Sequence, residues 1–305
     1  MNEIPPELRA MIAQMRQQYP ELAGQPDDIV AALIMQALEA QQASPAGGQD
    51  METMSAKELN EIGEQLLDIG RWDEAERYFL LAVERAEQER DIEQQAWATL
   101  YLGYLCRERG DSPQAMRLHQ QALALAERAT DRRLIGIIYN EIGENYRMHG
   151  AYPQAIVYYQ WSLEIHSDMG DEPDVAVEYG NLGTVYGQQG DFARAIEAYQ
   201  KAIEFSRKVG DDYRLARWYG NLGNVYREQG HYDRALAMYG QSLELSLRLG
   251  DQQNAANAYG NLGDLYRDLG QPAEARTHFE KAKALFEMVG DARNAQAAAQ
   301  ALRGL

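Results

Sequence analysis

The chain has 305 residues, 47 acidic against 29 basic side chains, a formal net charge of -18 and a single cysteine. That balance leaves no basic face for nucleic acid and repels an anionic membrane surface, while one cysteine excludes an intrachain disulfide. The most apolar stretch, 29–38, is far too short to span a bilayer. No basic stretch followed by an apolar run opens the chain as a secretory signal would, so a cytoplasmic location is expected.

Residues 1–50 read as an N-terminal helical pair plus linker. Pro5-Pro6 opens a helix to about Gln18, with Leu8, Met11, Ile12 and Met15 on one face, and Tyr19-Pro20 breaks it. Pro26-Asp27-Asp28 opens a second helix to about Gln42 carrying Ile29, Leu33, Ile34 and Leu38, and 44–48 read as a flexible linker. Two such helices bury little alone. They are expected to cap the first helices of the remaining chain, with dimerisation and folding back into a binding groove as the alternatives.

From residue 51 the sequence repeats every 40 residues. Tyr179-Gly-Asn-Leu-Gly-Thr-Val-Tyr186 returns as Tyr219-Gly-Asn-Leu-Gly-Asn-Val-Tyr226 and as Tyr259-Gly-Asn-Leu-Gly-Asp-Leu-Tyr266. The register holds through 51–90, 91–130, 131–170, 171–210, 211–250 and 251–290. Gly70, Gly110, Gly150, Gly190, Gly230 and Gly270 form one column, Ala75 to Ala275 a second, and Asp91 to Asp291 a third. Such periodicity marks a solenoid.

Each unit reads as two helices. In 211–250, Asp211 or Asp212 caps the first, whose stripe is Leu215, Tyr219, Leu222 and Tyr226. Gly230 ends it in a left-handed turn. The second carries Ala235, Tyr239, Leu243 and Leu247 and stops at Gly250. Gly223, like Gly63, Gly103, Gly143, Gly183 and Gly263, lies inside a helix at a cost of about 1 kcal/mol, which close approach of the partner helix should offset. The first repeat opens late, at the capping box Ser55-Ala-Lys-Glu58. Residues 291–305 read as a C-terminal capping helix.

Tyr219, Leu222, Gly223, Tyr226, Ala235 and Tyr239 give this unit its likeness: the pattern resembles the tetratricopeptide repeat. The period is 40 rather than the usual 34, and the proline near the end of the unit is missing. Long units with Gly-Asn-Leu-Gly are similar to those of the Pins/LGN polarity adaptors and kinesin light chains. The resemblance implies an all-α, right-handed superhelical solenoid whose first helices line a concave groove. It places groove residues at Asn181, Asn221 and Asn261, at the column of Glu144, Thr184, Asn224 and Asp264, and at Arg107, Arg147, Arg227 and Arg267. Asparagine both donates and accepts, which suits clamping an extended peptide backbone. A row of arginines suits carboxylates, hence an acidic peptide or a free C-terminus, unless those arginines pair with Glu108, Glu228 or Asp268. In the second repeat Tyr101, Tyr104 and the nearby Trp97 replace the polar column, as an apolar pocket or as the place where residues 1–50 dock.

No catalytic motif is legible: no phosphate loop, no nucleophile elbow, no paired carboxylates. The five histidines stand at no metal-ligand spacing with one another or with cysteine, and Cys106 reads as a buried core thiol in the column of Tyr146 and Tyr186. The expectation is a non-enzymatic adaptor without cofactor or metal that holds a protein or peptide partner. A self-assembling scaffold, which would make it a homo-oligomer, and a peptide-responsive sensor are the alternatives.

Overall fold

The computed structural model describes residues 51–305 and, before them, Ile12, Val30 and Ala31, which are helical and buried; the helical pair and linker expected in 1–50 otherwise lie outside the described residues. Among the described residues, thirteen α-helices and no strand follow a short 3-10 turn, Met51–Thr53. They are α1 (Ala56–Asp68), α2 (Trp72–Glu89), α3 (Ile92–Glu108), α4 (Ser112–Ala129), α5 (Arg132–Met148), α6 (Tyr152–Met169) and α7 (Glu172–Gln188), then α8 (Phe192–Val209), α9 (Asp212–Glu228), α10 (Tyr232–Leu249), α11 (Gln252–Asp268), α12 (Pro272–Met288) and α13 (Ala292–Arg303). Two compact units divide the chain, 1–102 and 103–305, with the border inside α3.

In the first unit Ser55 and Glu58 close the expected capping box. The Ser55 N–H donates to the Glu58 carboxylate at 2.8 Å, and the Glu58 N–H donates to the Ser55 hydroxyl at 3.3 Å, so two otherwise orphaned helix donors are satisfied. Buried Asn60 donates to the backbone and side-chain oxygens of Gln94, each at 3.0 Å, and ties α1 to α3. Tyr101 stacks on Phe79 with ring centroids 4.7 Å apart and lies 5.9 Å from Trp97. The aromatic patch is thus at least partly packed upon itself.

In the second unit each helix packs on the next, and the first helices α7, α9 and α11 also touch one another. The helix-interior glycines explain the close packing. A Cβ on Gly223 would stand 2.5 Å from the Tyr239 ring, and Gly143, Gly183 and Gly263 meet Tyr159, Tyr199 and Phe279 in the same way. His119 takes the aromatic position over Gly103. Tyr159 and Tyr239 are fully buried, and a ring of that size returns about 1.5–3 kcal/mol on burial, more than the glycine costs the helix. The first-helix stripe of Leu215, Tyr219, Leu222 and Tyr226 is buried as expected. In α10, however, the buried face is Ala235, Tyr239, Ser242, Leu245 and Ser246, and Leu247 is 54% exposed. Steps of four drift off a face that turns every 3.6 residues.

The turns follow the columns. Asp211, not Asp212, caps α9, accepting from the Arg214 N–H at 2.9 Å. The glycines that end the first helices of the repeats have φ near +75°, as at Gly230, a conformation that is cheap only without a Cβ. Second helices end the same way at Gly170, Gly210 and Gly250, but Arg90 and Thr130 adopt φ +60° without being glycine. Cys106 is half-buried and forms no disulfide, a looser setting than a core thiol.

One buried acid breaks the apolar pattern. Glu178 of α7 is 2% exposed. Its Oε1 lies 2.7 Å from Nδ2 of Asn140 and 2.9 Å from the Ser162 hydroxyl, which also lies 2.8 Å from the Gly136 carbonyl oxygen. A hydroxyl has one hydrogen to give. A neutral Glu178 resolves this: its O–H donates to Ser162, and Ser162 donates to Gly136. Oε2 is buried without a partner, which a neutral carboxyl tolerates far better than a charged one. Burial pushes this carboxyl up to about 8 against the pull of Asn140 and Ser162.

Candidate functional site

The asparagines separate by what holds them. Asn181, Asn221 and Asn261 are half-buried, and their amides make no hydrogen bond among the described residues, leaving a donor pair and an acceptor for a ligand. Asn224 differs: its Oδ1 accepts from the Tyr239 hydroxyl at 2.7 Å. Its whole column is tied inward, Glu144 to Tyr159 at 2.7 Å and Thr184 to Tyr199 at 3.0 Å. Phe279 has no hydroxyl, and there Asp264 is held by Arg227 and Arg267 instead. At Glu144, Thr184 and Asn224 the column expected to face a ligand bonds to the second helix, although Asn224 and Asp264 also border a groove.

The four arginines of the expected row all pair within the chain. Arg107 is buried against Glu141 at 2.5 Å and Glu108 at 3.1 Å, over the Tyr104 ring. Burial pushes the Glu141 carboxyl up to about 7, although Arg107 pulls it down. Arg147 is bound by Glu144. Arg227 reaches Asp264 at 3.3 Å and Asp268 at 3.5 Å, and Arg267 reaches Asp264 at 2.5 Å. Of the partners open in the sequence, Glu108 meets Arg107 and Asp268 meets Arg227, no such pair forms at Glu228 among the described residues, and Glu141, Glu144 and Asp264 supply the other contacts.

Four of the eight expected residues share one cavity. Asn221 and Asn224 of α9 and Asn261 and Arg267 of α11 line a groove of about 740 Å³, with α13 as its far wall. Asn181, Arg107, Arg147 and Arg227 lie outside it. Its floor is made of small residues, Gly220, Ala258, Gly260 and Ala298, and Phe279 and Phe286 of α12 reach in from below. The reason lies one repeat earlier. Trp218 of α9 is 1% exposed and packs on Gly180 of α7, where a Cβ would stand 2.3 Å from the indole. The residues 40 and 80 positions on are Ala258 and Ala298. A Cβ on Gly220 would meet only the Ser242 hydroxyl, at 3.4 Å, and one on Gly260 would meet nothing within 4 Å. The surface that Trp218 covers is open at the next two levels.

Arg217, which the expected row did not include, also lines the groove. It is exposed and makes no ion pair or hydrogen bond among the described residues; its guanidinium lies 4.4 Å from the Trp218 ring. Crowding by surrounding chain, then the like charge of Arg214, lower its pKa. Among the lining side chains Arg217 and Arg267 outnumber Asp264, a positive spot in a protein of charge -18. The signal was present in the 40-residue columns, where Trp218 gives way to alanine and Arg217 follows Val177.

Stacked helix pairs with an open polar groove define a helical-repeat interaction protein. The family profile described as tetratricopeptide repeat matches residues 53–128, 94–168, 174–248, 240–288 and 254–305. The chain therefore belongs to the tetratricopeptide-repeat family, whose repeats mediate protein–protein interaction. No curated protein matches its sequence at a significant level. Among solved structures it is similar to BtubC (BKLC) from P. vanneervenii, with 23% identity, TM-score 0.59, and 78% of this chain and 93% of that one covered. It is also similar to a signal transduction ATPase with a tetratricopeptide repeat sensor from Pyrococcus horikoshii (17% identity, TM-score 0.66, 98% and 43% covered). Kinesin-light-chain TPR-like repeats from Podosopora anserina align at 15% identity and TM-score 0.52, covering 63% and 95%. At these identities the likeness is one of fold. No helix among the described residues is long and apolar enough to cross a membrane.

Proposed function

We propose that the chain is a non-enzymatic adaptor that holds an extended, acidic peptide segment of a partner protein in the groove between α9 and α13. The free amides of Asn221 and Asn261, side by side on that groove, carry the reading, because they can meet a peptide backbone without reading its sequence. Arg217, with no carboxylate of its own among the described residues, supplies the preference for acid. An apolar side chain of the ligand seats over Gly260 and Ala298 as the Trp218 indole seats over Gly180.

A peptide library displayed on phage and selected against the whole protein tests this. The expected peptides carry an apolar residue beside acidic ones. They lose at least about tenfold in affinity on Asn221→Ala/Asn261→Ala, about 1.4 kcal/mol, and on Ala298→Trp, which closes the floor. The double variant should melt with wild type, since neither amide bonds among the described residues. Peptides that bind all three proteins equally would remove the groove from the proposal. No enrichment, together with concentration-dependent sedimentation, would favour a self-assembling scaffold.

A further inference from the structure

A second site lies where the third repeat meets the fourth. His166 near the end of α6, Asp171 before α7 and Asp174 in its first turn bring one donor atom each to within 4.8 Å of one another. His166 is 1% exposed, and its Nδ1 is buried with no hydrogen bond, 3.8 Å from Oδ2 of Asp174. A buried imidazole nitrogen left without a hydrogen bond is costly, and this one faces two carboxylates.

Departures from the repeat coincide here. The positions equivalent to His166 hold Ala86, Ala126, Ser206, Ser246 and Phe286, and those equivalent to Asp174 hold Gln94, Leu134, Arg214, Asn254 and Asn294. Gly136 stands where other repeats have Ala96, Ala176, Ala216 and Ala256, and its missing Cβ would lie 2.8 Å from Nε2 of His166. Room has been made for this ring in this repeat. The column aspartates Asp91, Asp131, Asp211, Asp251 and Asp291 each accept from the N–H three residues on. Asp171 alone among them makes no such bond.

We infer that His166, Asp171 and Asp174 form a binding site for a divalent first-row transition ion such as Zn²⁺ or Co²⁺. One imidazole nitrogen with two carboxylate oxygens is a donor set for such ions rather than for Mg²⁺, which prefers oxygen alone. Donor atoms about 2.1 Å from a tetrahedral ion lie roughly 3.4 Å apart, so 3.8 Å between His166 and Asp174 needs only a small carboxylate rotation. Asp171 and Asp174 are partly open to solvent, at 21% and 28%, and admit the ion, while the remaining coordination falls to water. Arg133, 57% exposed, is the competing cation: its guanidinium lies 3.5 Å from Asp171 and 3.9 Å from Asp174. It must swing outward when the metal enters. Bound metal would staple α6 to α7 across the repeat junction.

The test is calorimetric titration of the whole chain, stripped with chelator, with ZnCl2, alongside CoCl2 titration followed by visible absorption and MgCl2 as control. One Zn²⁺ per chain should bind and raise the melting temperature, and Mg²⁺ should not. His166→Ala restores the alanine of the first two repeats, so it should fold. It and the surface variant Asp174→Asn should each weaken binding at least about tenfold, the scale of losing a metal-site partner. Arg133→Ala should tighten binding, a result that a merely structural ion pair cannot give. Absence of saturable Zn²⁺ binding, or binding that His166→Ala and Asp174→Asn leave unchanged, would overturn the assignment.

Discussion

Replacing Glu178 with glutamine asks whether the fold holds that side chain neutral. The carboxyl sits at about 8 in the folded protein against its ordinary 4.5. The native state therefore binds a proton that the unfolded chain has already released across this window, and stability must fall as pH rises through it. At about 1.4 kcal/mol per tenfold change in proton affinity, wild type should lose about 3–4 kcal/mol between pH 5 and pH 8 through this group. The order of magnitude is set by burial outweighing the donors Asn140 and Ser162. Glu178→Gln abolishes that loss. It adds a pH-independent cost of about 1 kcal/mol, since the amide cannot donate to Ser162 from the position that accepts from Asn140. Urea unfolding of both proteins at pH 5 and pH 8 reads the difference directly: near parity or slightly in favour of wild type at pH 5, clearly in favour of the variant at pH 8. A wild-type-minus-variant difference that does not move with pH would mean that Glu178 is ionised in the fold, and the single-hydrogen argument at Ser162 would fail with it.

Two further substitutions probe the repeat itself. Gly223→Leu drives a side chain into the Tyr239 ring, already 2.5 Å from a bare Cβ, and should cost at least about 1–3 kcal/mol in thermal unfolding; an unchanged melting temperature would show that the helix pair can slide apart at no cost. Thr130→Gly relieves a left-handed backbone at φ +60°, and should stabilise by roughly 1 kcal/mol, the penalty that a Cβ carries there; destabilisation would mean that the threonine makes up for its backbone.

Much of the fold was legible because its signals are local. The helix-interior glycines, the turn glycines and the capping aspartates each report on neighbours within a few residues, and the columns multiply that report. The site was legible only in part. Asn221 and Asn261 were within reach, since a polar residue recurring on a helix face invites a ligand. The position of Asn224 is polar in four successive repeats, yet Asn224 accepts from Tyr239, 15 residues away on another helix. Two of the arginines pair beyond their own repeat, while Arg147 and Arg267 pair three residues back with Glu144 and Asp264. Arg107 meets Glu141 34 residues on, and Arg227 meets Asp264 in the following repeat; a column shows what recurs at a position, while these pairings depend on what stands across the junction. His166 carries no histidine or cysteine spacing because its neighbours, Asp171 and Asp174, are aspartates.

Trp218 has a consequence beyond its own packing. It stands like a bookend on the shelf that Gly180, Gly220 and Gly260 make, and where it sits decides how much of the shelf is free. Everything beyond it on the α13 side is open, and the level it occupies is closed. On the proposed reading, the length of ligand is governed by one bulky residue followed by Ala258 and Ala298 rather than by the number of repeats. A tryptophan codon arising at 258 or 298 would shorten the proposed segment by one step, whereas one lost at 218 would lengthen it only by removing a side chain that is buried in the core.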